Sequence, residues 1–302
     1  MWVEKRGTTT VAVANALAAL SGVDRRDVGF AGRKDRHAVT RQWFSVPGLD
    51  PAVANGRELD GFRVLEARRH PHKLGLGQLS GNRFRLVVRE LDETSSSAAV
   101  ERLAEIERCG MENRFGLQRF GREGANAESG AAILRGDKVP GSKRHRRFLV
   151  SAWQSAVFNE GLARRPVGVA ELLAGDVAVV HSSGGQFLVE DPEVEAPRAR
   201  SFEISPTGPI HGEKMKRPAG IVADLERDVL SEWNLSEETV YASLRALRLF
   251  GTRRALRVLP TEISAECRDG AIELRFVLPA GSFATVLLDT LFPGVVLERG
   301  PG

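Results

Sequence analysis

The feature of the sequence that most constrains the fold is a series of short alternating segments interleaved irregularly with helical ones. Residues 84–90 show it best, because Phe84, Leu86 and Val88 fall on one face of an extended chain and arginines occupy the other. Further strands are predicted at residues 39–46, 61–67, 176–180, 186–190 and 272–278, the third and fourth of these forming a hairpin. Short strands in this order favour antiparallel pairing, so we expect an α+β fold and not a doubly wound parallel sheet.

Helices are predicted from apolar spacing and from residues that favour helix ends. Residues 94–109 place Val100, Leu103 and Ile106 on one stripe, with Gly110 beyond the end. Other helices are predicted at residues 8–20, at 148–165, at 236–250 with Ser236 as the N-cap, and after Gly281 with Ser282 as the N-cap. Residues 205–220, which are rich in Gly, Pro and Lys, are predicted to be a loop.

Composition excludes several classes of function. The two cysteines, Cys109 and Cys267, have no metal-binding spacing, so we expect free thiols in a reducing, cytoplasmic compartment and no metal site. The sequence has no apolar run long enough to span a membrane, no secretory signal and no dinucleotide or Walker A motif, so we expect neither membrane association nor a nucleotide cofactor. The net charge is only +4, and its excess is mostly Arg, which favours phosphate binding or merely reflects a GC-rich genome.

The densest polar segment is residues 29–44, in which Asp35 stands among Arg33, Lys34, Arg36 and Arg41. Positive neighbours keep a carboxylate ionised, and an ionised carboxylate on a basic surface is suited to act as a nucleophile toward RNA. The alternative is a solvated loop whose acid only balances the neighbouring charge. If the segment is extended, Lys34 and Arg36 point away from the face that carries Asp35, so the cation that pairs with Asp35 would come from elsewhere in the fold.

The same segment closely resembles the signature of the TruD family of tRNA pseudouridine synthases. The family pattern G-x-K-D-x-x-A-x-T-x-Q-W corresponds to residues 32–43. Further segments resemble those of the family in the same order, namely Gly-Asn-Arg-Phe at residues 81–84, Asn-Arg-Phe-Gly-Leu-Gln-Arg-Phe-Gly at 113–121, Ser-Pro-Thr-Gly-Pro at 205–209 and Leu-Pro-Ala-Gly-Ser-Phe-Ala-Thr at 278–285. Such an ordered set is far more specific than any one segment alone.

The resemblance implies an isomerase that converts uridine to pseudouridine, typically at position 13 of tRNA, without a cofactor. By resemblance Asp35 is the nucleophile, and Asn82, Phe84 and Phe283 contact the substrate, with Phe84 stacking near a uridine that is flipped out of the RNA. The alternatives are a turn residue for Asn82 and ordinary core packing for the two phenylalanines.

Basic residues outside the signature segment are candidates for phosphate contacts. We expect RNA contacts from Lys34, Arg119, Arg122 and Lys216, and the basic run at residues 143–147 is a candidate RNA-facing rim. The alternative for each group is a solvated face. These residues are expected to set affinity and salt dependence and not the chemistry.

The resemblance also implies a domain organisation. Residues 1–109 and 257–302 would form a discontinuous catalytic domain with a mixed, mainly antiparallel sheet, and residues 110–256 an inserted α+β domain peculiar to the family. The family usually carries an F-x-V-x-E-like segment before the first helix, whereas residues 1–7 resemble the strand that follows it. Either the recorded start is late or part of the pocket is lost.

The expected partner is tRNA, with no membrane and no protein partner, and the protein is expected to be a monomer. Two other functions stay open on the sequence alone. One is a non-catalytic RNA-binding protein or tRNA folding chaperone, since a fold does not fix a function. The other is a hydrolase with an aspartyl nucleophile, which would release free uracil or phosphate.

Overall fold

A computed structural model describes residues 1–295, which form two compact units, residues 1–81 and residues 82–295. Both units combine helices with antiparallel sheets, which confirms the predicted α+β class. The last part of the predicted catalytic domain, residues 296–302, lies outside the described residues.

The first unit is built on a five-stranded sheet in the order β2-β3-β1-β5-β4, so β1 is the central strand. Its strands are β1 (Trp2–Lys5), β2 (Gly29–Phe30), β3 (Thr40–Ser45), β4 (Glu58–Leu59) and β5 (Phe62–Glu66), and its helices are α1 (Thr10–Ser21) and α2 (Pro51–Ala54). Strands β3 and β5 confirm the strands predicted at residues 39–46 and 61–67.

Helix α1 forms where the sequence predicts a helix, and its ends follow from capping. The Thr9 hydroxyl accepts a hydrogen bond from a backbone N–H of the first turn at 3.1 Å, and Gly22 ends the helix in the left-handed conformation at φ 68°. Val13 and Leu17 are buried in one core cluster with Phe44 of the sheet. Burial of side chains of this size contributes roughly 1.5–3 kcal/mol each, so this face holds α1 against the sheet.

The second unit contains the remaining elements. Its strands are β6 (Gly81–Val88), β7 (Met111–Glu112), β8 (Val177–Val180), β9 (Gln186–Leu188), β10 (Ile204–Ile210), β11 (Thr252–Ala255), β12 (Arg257–Val258), β13 (Thr261–Arg268) and β14 (Ala271–Pro279). Its helices are α3 (Glu93–Cys109), α4 (Ala125–Arg135), α5 (Lys143–Ala163), α6 (Pro192–Arg200), α7 (Gly220–Glu232), α8 (Glu237–Ala246) and α9 (Ala284–Leu291).

One sheet of the second unit joins segments that are far apart in the sequence. Its order is β13-β14-β6, and helices α3 and α9 pack against each other. Strands β6 and β14 and helix α3 confirm the predicted elements, but the predicted stripe of α3 is wrong at Val100, which is 41% exposed. The buried stripe passes instead through Ala99, Leu103 and Ile106, whose spacings of four and three residues keep them on one helical face.

A four-stranded sheet in the order β11-β10-β8-β9 contains the predicted hairpin and overturns one prediction. Strands β8 and β9 pair as expected, but residues 205–220 are not a loop throughout, because β10 runs to Ile210 and is almost wholly buried. Pro206 lies in the part of β10 that pairs with β8, and Pro209 in the part that pairs with β11. Since no residue of the strand is in register with both neighbours, a proline that lacks an N–H is tolerated there.

Helices α4, α5, α7 and α8 share a core around Trp153, whose side chain is fully buried. Helix α5 begins at Lys143 and not at the predicted residue 148. The Ser142 hydroxyl accepts a hydrogen bond from the His145 N–H at 3.2 Å, so it caps the helix before the basic run. The predicted helix at 236–250 is α8, which is shorter than expected but capped by Ser236 as predicted.

Several features bear on the classes of function considered above. Within residues 1–295, no helix is long and apolar enough to cross a membrane. The same part of the chain has no group of at least three His, Cys, Asp or Glu side chains arranged to hold a metal ion. Cys109 and Cys267 are both free, which confirms the prediction of unpaired thiols.

Candidate active site

Asp35 lies in the loop between β2 and β3, and its side chain is exposed. Its Oδ1 accepts a hydrogen bond from the His37 N–H at 3.0 Å, a local turn that short acidic side chains often make. Gly32 begins the approach to Asp35 at φ 78°, a conformation that disfavours other residues, and a Cβ there would lie 3.1 Å from the Leu79 side chain. The loop therefore needs glycine at this position of the signature segment.

A buried network ties the Asp35 loop to helix α1 and strand β3. The Thr10 hydroxyl donates to Gln42 Oε1 at 3.1 Å and accepts from the Lys34 N–H at 2.9 Å. The Gln42 amide in turn donates to the Gly32 carbonyl oxygen at 3.3 Å. Because Thr10 and Gln42 are buried and satisfy the loop's backbone groups, they fix the backbone on both sides of residue 33.

A cation from another strand reaches the same loop, which is a turn at Asp35 and not an extended segment. Lys5, the last residue of β1, donates a hydrogen bond from Nζ to the Asp35 backbone carbonyl oxygen. The Lys5 side chain is only 2% exposed. Burial lowers the pKa of the Lys5 ammonium, and the attraction of Asp35 opposes that change. Lys5 was not predicted as a site residue, because nothing local distinguishes it from the other lysines.

Lys34 is a predicted RNA contact beside Asp35, and its side chain is half-buried. Burial lowers the pKa of its ammonium. Lys34 and Asp35 belong to the first unit. The other predicted site residues belong to the second unit, namely Asn82, Phe84, Arg119, Arg122, Lys216 and Phe283.

Asn82 and Phe84 lie near the start of β6, so Asn82 belongs to a strand and not to a turn. Phe84 is half-buried, and its ring stacks on Phe276 of β14 with centroids 5.2 Å apart and planes 23° apart. Phe276 is 1% exposed and is an ordinary core residue. Phe84 thus adds to the core on one side and keeps part of its ring accessible, which suits both interpretations of this residue.

Phe283 immediately precedes helix α9, and it overturns a predicted cap. The residue at the N-cap position is Phe283, without a side-chain hydrogen bond, and not Ser282. The Ser282 hydroxyl points instead to Asn113 Oδ1 at 3.5 Å. The half-buried Phe283 ring lies 6.0 Å from the ring of Phe115, so two family-like segments, 113–121 and 278–285, meet here.

Arg254 of β11, which was not predicted as a site residue, holds these two segments together. Its guanidinium donates to the carbonyl oxygen of Asn113 at 2.9 Å, to the Asn113 side chain, and to the carbonyl oxygen of Gly281 at 2.9 Å. It also lies 4.2 Å from the Phe115 ring centroid. Burial lowers the pKa of Arg254 to about 10. The backbone just before Phe283 is thus fixed by a residue near the far end of the 110–256 segment.

The predicted RNA contacts of the second unit differ in accessibility. Arg122 and Lys216 are exposed, and Lys216 Nζ donates to the Gln186 carbonyl oxygen at 2.8 Å. Arg119 is half-buried along α5, where it donates to the Ser151 hydroxyl at 2.5 Å and lies 5.3 Å from the Phe148 ring centroid. Arg119 therefore has fewer donors available for phosphate than an exposed arginine.

Some arginines of this chain serve the fold and not a ligand. Arg253 is 5% exposed, pairs with Glu226 at 2.8 Å and donates to the backbone of Thr207. Arg257 is 1% exposed and donates to the carbonyl oxygen of Cys109 at 3.0 Å. Because their donors are used inside the protein, Arg richness by itself overstates the surface available to RNA.

The fold has a solved counterpart. A crystal structure of a Methanosarcina mazei protein assigned to tRNA pseudouridine synthase D (TruD) matches with a TM-score of 0.78, over 96% of this chain and 86% of that one. The identity is 21%, so this likeness establishes the α+β fold that the two chains share.

Similarity at the level of sequence identifies the family as well as the fold. Residues 1–139 and 142–291 match the family model described as tRNA pseudouridine synthase D (TruD). A tRNA pseudouridine synthase D of Anaeromyxobacter sp. (strain Fw109-5) is 41% identical, over 96% of this chain and 83% of the relative. An enzyme of that name from Thermus thermophilus is 40% identical, over 95% of this chain and 79% of the relative. The chain therefore belongs to the TruD family, a family of isomerases, which confirms the resemblance.

Proposed function

We propose that this protein is a tRNA pseudouridine synthase that isomerises a uridine, at position 13 of tRNA, with Asp35 as the nucleophile. The observation that carries the proposal is the family match over residues 1–139 and 142–291, which includes the signature segment around Asp35. The reaction breaks the N-glycosidic bond, turns the uracil and joins its C5 to the ribose. Atoms and electrons balance within the substrate, so no redox cofactor is required.

The surroundings of Asp35 support a nucleophilic role. Its side chain is exposed, whereas the backbone of its loop is anchored by Thr10 and Gln42. Arg33 and Arg36 are exposed on either side of it. An exposed carboxylate on a fixed backbone is accessible to a ribose whose phosphates the neighbouring cations attract.

Asn82, Phe84 and Phe283 are proposed to hold the target uridine after it leaves the RNA stack. The Asn82 amide offers both donors and an acceptor for the uracil edge or for a carboxylate. The half-buried rings of Phe84 and Phe283 each keep some accessible area. Stacking of one base on an aromatic ring is worth roughly 1–3 kcal/mol, which offsets part of the cost of extracting the base.

The first turns of α5 are proposed as the main RNA-facing rim, together with Arg122 and Lys216. Residues 143–147 are all basic and mostly exposed, and the first turn of the helix has no acidic residue. Phe148 follows them and is 42% exposed, with the Arg119 guanidinium over its ring. Exposed cations beside an accessible ring suit a phosphate backbone and its bases.

The predicted domain organisation is retained as part of the proposal, with residues 1–109 and 257–302 as the catalytic domain and 110–256 as the insertion. The β13-β14-β6 sheet and the contact between α3 and α9 support it, because both join chain segments on either side of the insertion. We propose that the enzyme works as a monomer in the cytoplasm.

The decisive experiment is pseudouridine mapping on tRNA with wild-type protein and with Asp35→Asn. Carbodiimide labelling followed by mass spectrometry locates pseudouridine and shows whether the RNA has lost uracil. We expect the wild type to modify one uridine without loss of RNA mass, and Asp35→Asn to bind tRNA equally well and form none. Asp60→Asn is a matched control, because Asp60 is an exposed aspartate in a turn of the same unit.

Each other outcome overturns a definite part of the proposal. If Asp35→Asn still forms pseudouridine, Asp35 is not the nucleophile. If the wild type binds tRNA and never forms pseudouridine, the protein is an RNA-binding member of the family. Release of free uracil would indicate a hydrolase.

A further inference from the structure

We propose that Lys5 is a positioning residue for Asp35. Its ammonium holds the Asp35 loop through the Asp35 backbone carbonyl oxygen and places a fixed positive charge next to that loop. This inference rests on the proposed function, because it concerns how Asp35 is presented to the substrate. Lys5 lies outside the signature segment, on the central strand of the first unit.

The position of Lys5 in the sheet is one that normally holds an apolar residue. Along β1, Val3 and Lys5 are the two buried residues, so both face the same side of the sheet. Val3 is part of the apolar core cluster of this unit. Lys5 is only 2% exposed at the edge of that core, although a buried ammonium costs free energy unless it is paired.

The contacts of Lys5 are directed at residue 35. Its Nζ donates to the Asp35 carbonyl oxygen, and the Asp35 charge attracts the same ammonium. Thr40 lies directly across from Lys5 on β3, and its buried hydroxyl makes no hydrogen bond in the described part of the chain. An ammonium has three donors, so Lys5 can serve a further acceptor at the same end of the sheet.

Lys5 acts on Asp35 through its charge as well as through its hydrogen bond. The negative charge of Asp35 favours the protonated form of Lys5, so the two groups attract each other. A low-dielectric surrounding strengthens this attraction compared with that of the exposed arginines nearby. Lys5 and Asp35 are 30 residues apart in the sequence. Strand β1 therefore supplies the loop with a cation in addition to those of the signature segment.

The test compares Lys5→Met, Lys5→Gln and Lys5→Arg with the wild type. Methionine keeps an unbranched side chain of similar length and removes the charge, so folding is expected to survive. We expect kcat for pseudouridine formation to fall about 100-fold in the Met and Gln variants, with KM for tRNA within about threefold of wild type. Lys5→Arg, which retains a cation, is expected to recover at least about tenfold over Lys5→Met.

A matched control is Lys73→Met. Lys73 lies in the same unit and also donates from Nζ to a backbone carbonyl oxygen, that of Arg26. It is exposed, and its replacement is expected to leave kcat and KM unchanged. This control distinguishes the effect of losing a lysine-to-backbone hydrogen bond in general from the effect of losing the cation next to the Asp35 loop.

Several outcomes overturn the inference. A kcat within about threefold of wild type in a folded Lys5→Met variant shows that Lys5 does not position Asp35. Failure of both neutral variants to fold, by circular dichroism at room temperature, makes Lys5 a structural residue only. In both cases the proposed function still holds if the wild type forms pseudouridine and Asp35→Asn does not. A wild type that forms no pseudouridine overturns the proposed function itself.

Discussion

At the scale of single residues, a few buried polar side chains join segments of the second unit that are far apart in the sequence. Arg254 is the clearest case, because one guanidinium satisfies backbone and side-chain acceptors from two distant segments. Gly281, one of its acceptors, adopts φ 85°, which favours glycine at the turn before Phe283. The arrangement makes the position of Phe283 depend on Arg254 through the backbone.

Replacement of Arg254 is therefore expected to destabilise the second unit. Arg254→Met removes the donors to the backbone carbonyl oxygens of Asn113 and Gly281, so the free energy of unfolding should fall by about 2–4 kcal/mol. Urea denaturation followed by circular dichroism measures it. Arg268→Met, at an exposed arginine of β13, is the control and should change stability little. Equal small effects of both variants would show that Arg254 does not hold this turn.

At the scale of elements, helix α5 carries its charge at the wrong end for its own stability. The helix dipole is positive at the N-terminus, yet Lys143, Arg144 and the next basic residues stand there without an acid in the first turn. Exposed charges in such an arrangement destabilise the helix slightly unless they meet an anion. The proposed anion is the phosphate backbone of tRNA.

Charge reversal at this end is expected to separate stability from binding. The double variant Lys143→Glu/Arg144→Glu should gain about 1 kcal/mol in the free energy of unfolding, because each acid favours the helix N-terminus. It should also bind tRNA more weakly, with the slope of log Kobs against log salt reduced by about 1–2. The control Arg227→Glu/Arg268→Glu changes the net charge equally at other exposed sites. If the α5 double variant binds tRNA as tightly as the wild type does, α5 is not part of the tRNA interface.

At the scale of the whole molecule, a buried histidine couples stability to pH. His211 follows β10 and is 1% exposed, and its Nδ1 lies 2.9 Å from the Tyr241 hydroxyl. Burial lowers the pKa of His211 to about 3, and Arg253 and Arg217 act in the same direction. The unfolded chain therefore binds a proton at a higher pH than the folded chain does, so stability is lost as pH falls from about 6.5 toward 3.

Between about pH 7 and pH 5 this one group is expected to lower the free energy of unfolding by about 2 kcal/mol. Urea denaturation at the two pH values measures the difference. His211→Gln should remove that part of the pH dependence, whereas His72→Gln, at an exposed histidine, should retain it. A pH dependence that is identical in wild type and His211→Gln would show that His211 has the same pKa in the folded and the unfolded chain.

Much of the fold was predictable from local sequence. Helix α1, strands β3, β5, β6 and β14 and the β8–β9 hairpin appear where periodicity, caps and turn residues indicate them. These signals need only neighbouring residues, because side-chain spacing and capping act within a few turns or along one strand. The family-like segments around Asp35 and Phe283 were likewise visible in the sequence.

Other features depended on contacts between residues far apart in the chain. The prolines and glycine of β10 indicate a loop, and only pairing with β8 and β11 makes a strand of them. The hydrogen bonds of Lys5 and Arg254 join residues 30 and 141 positions apart. Local patterns thus determined most of the helices and strands. Tertiary structure decided that β10 is a strand and which polar side chains are buried, because burial of a charge depends on partners that the neighbouring sequence does not contain.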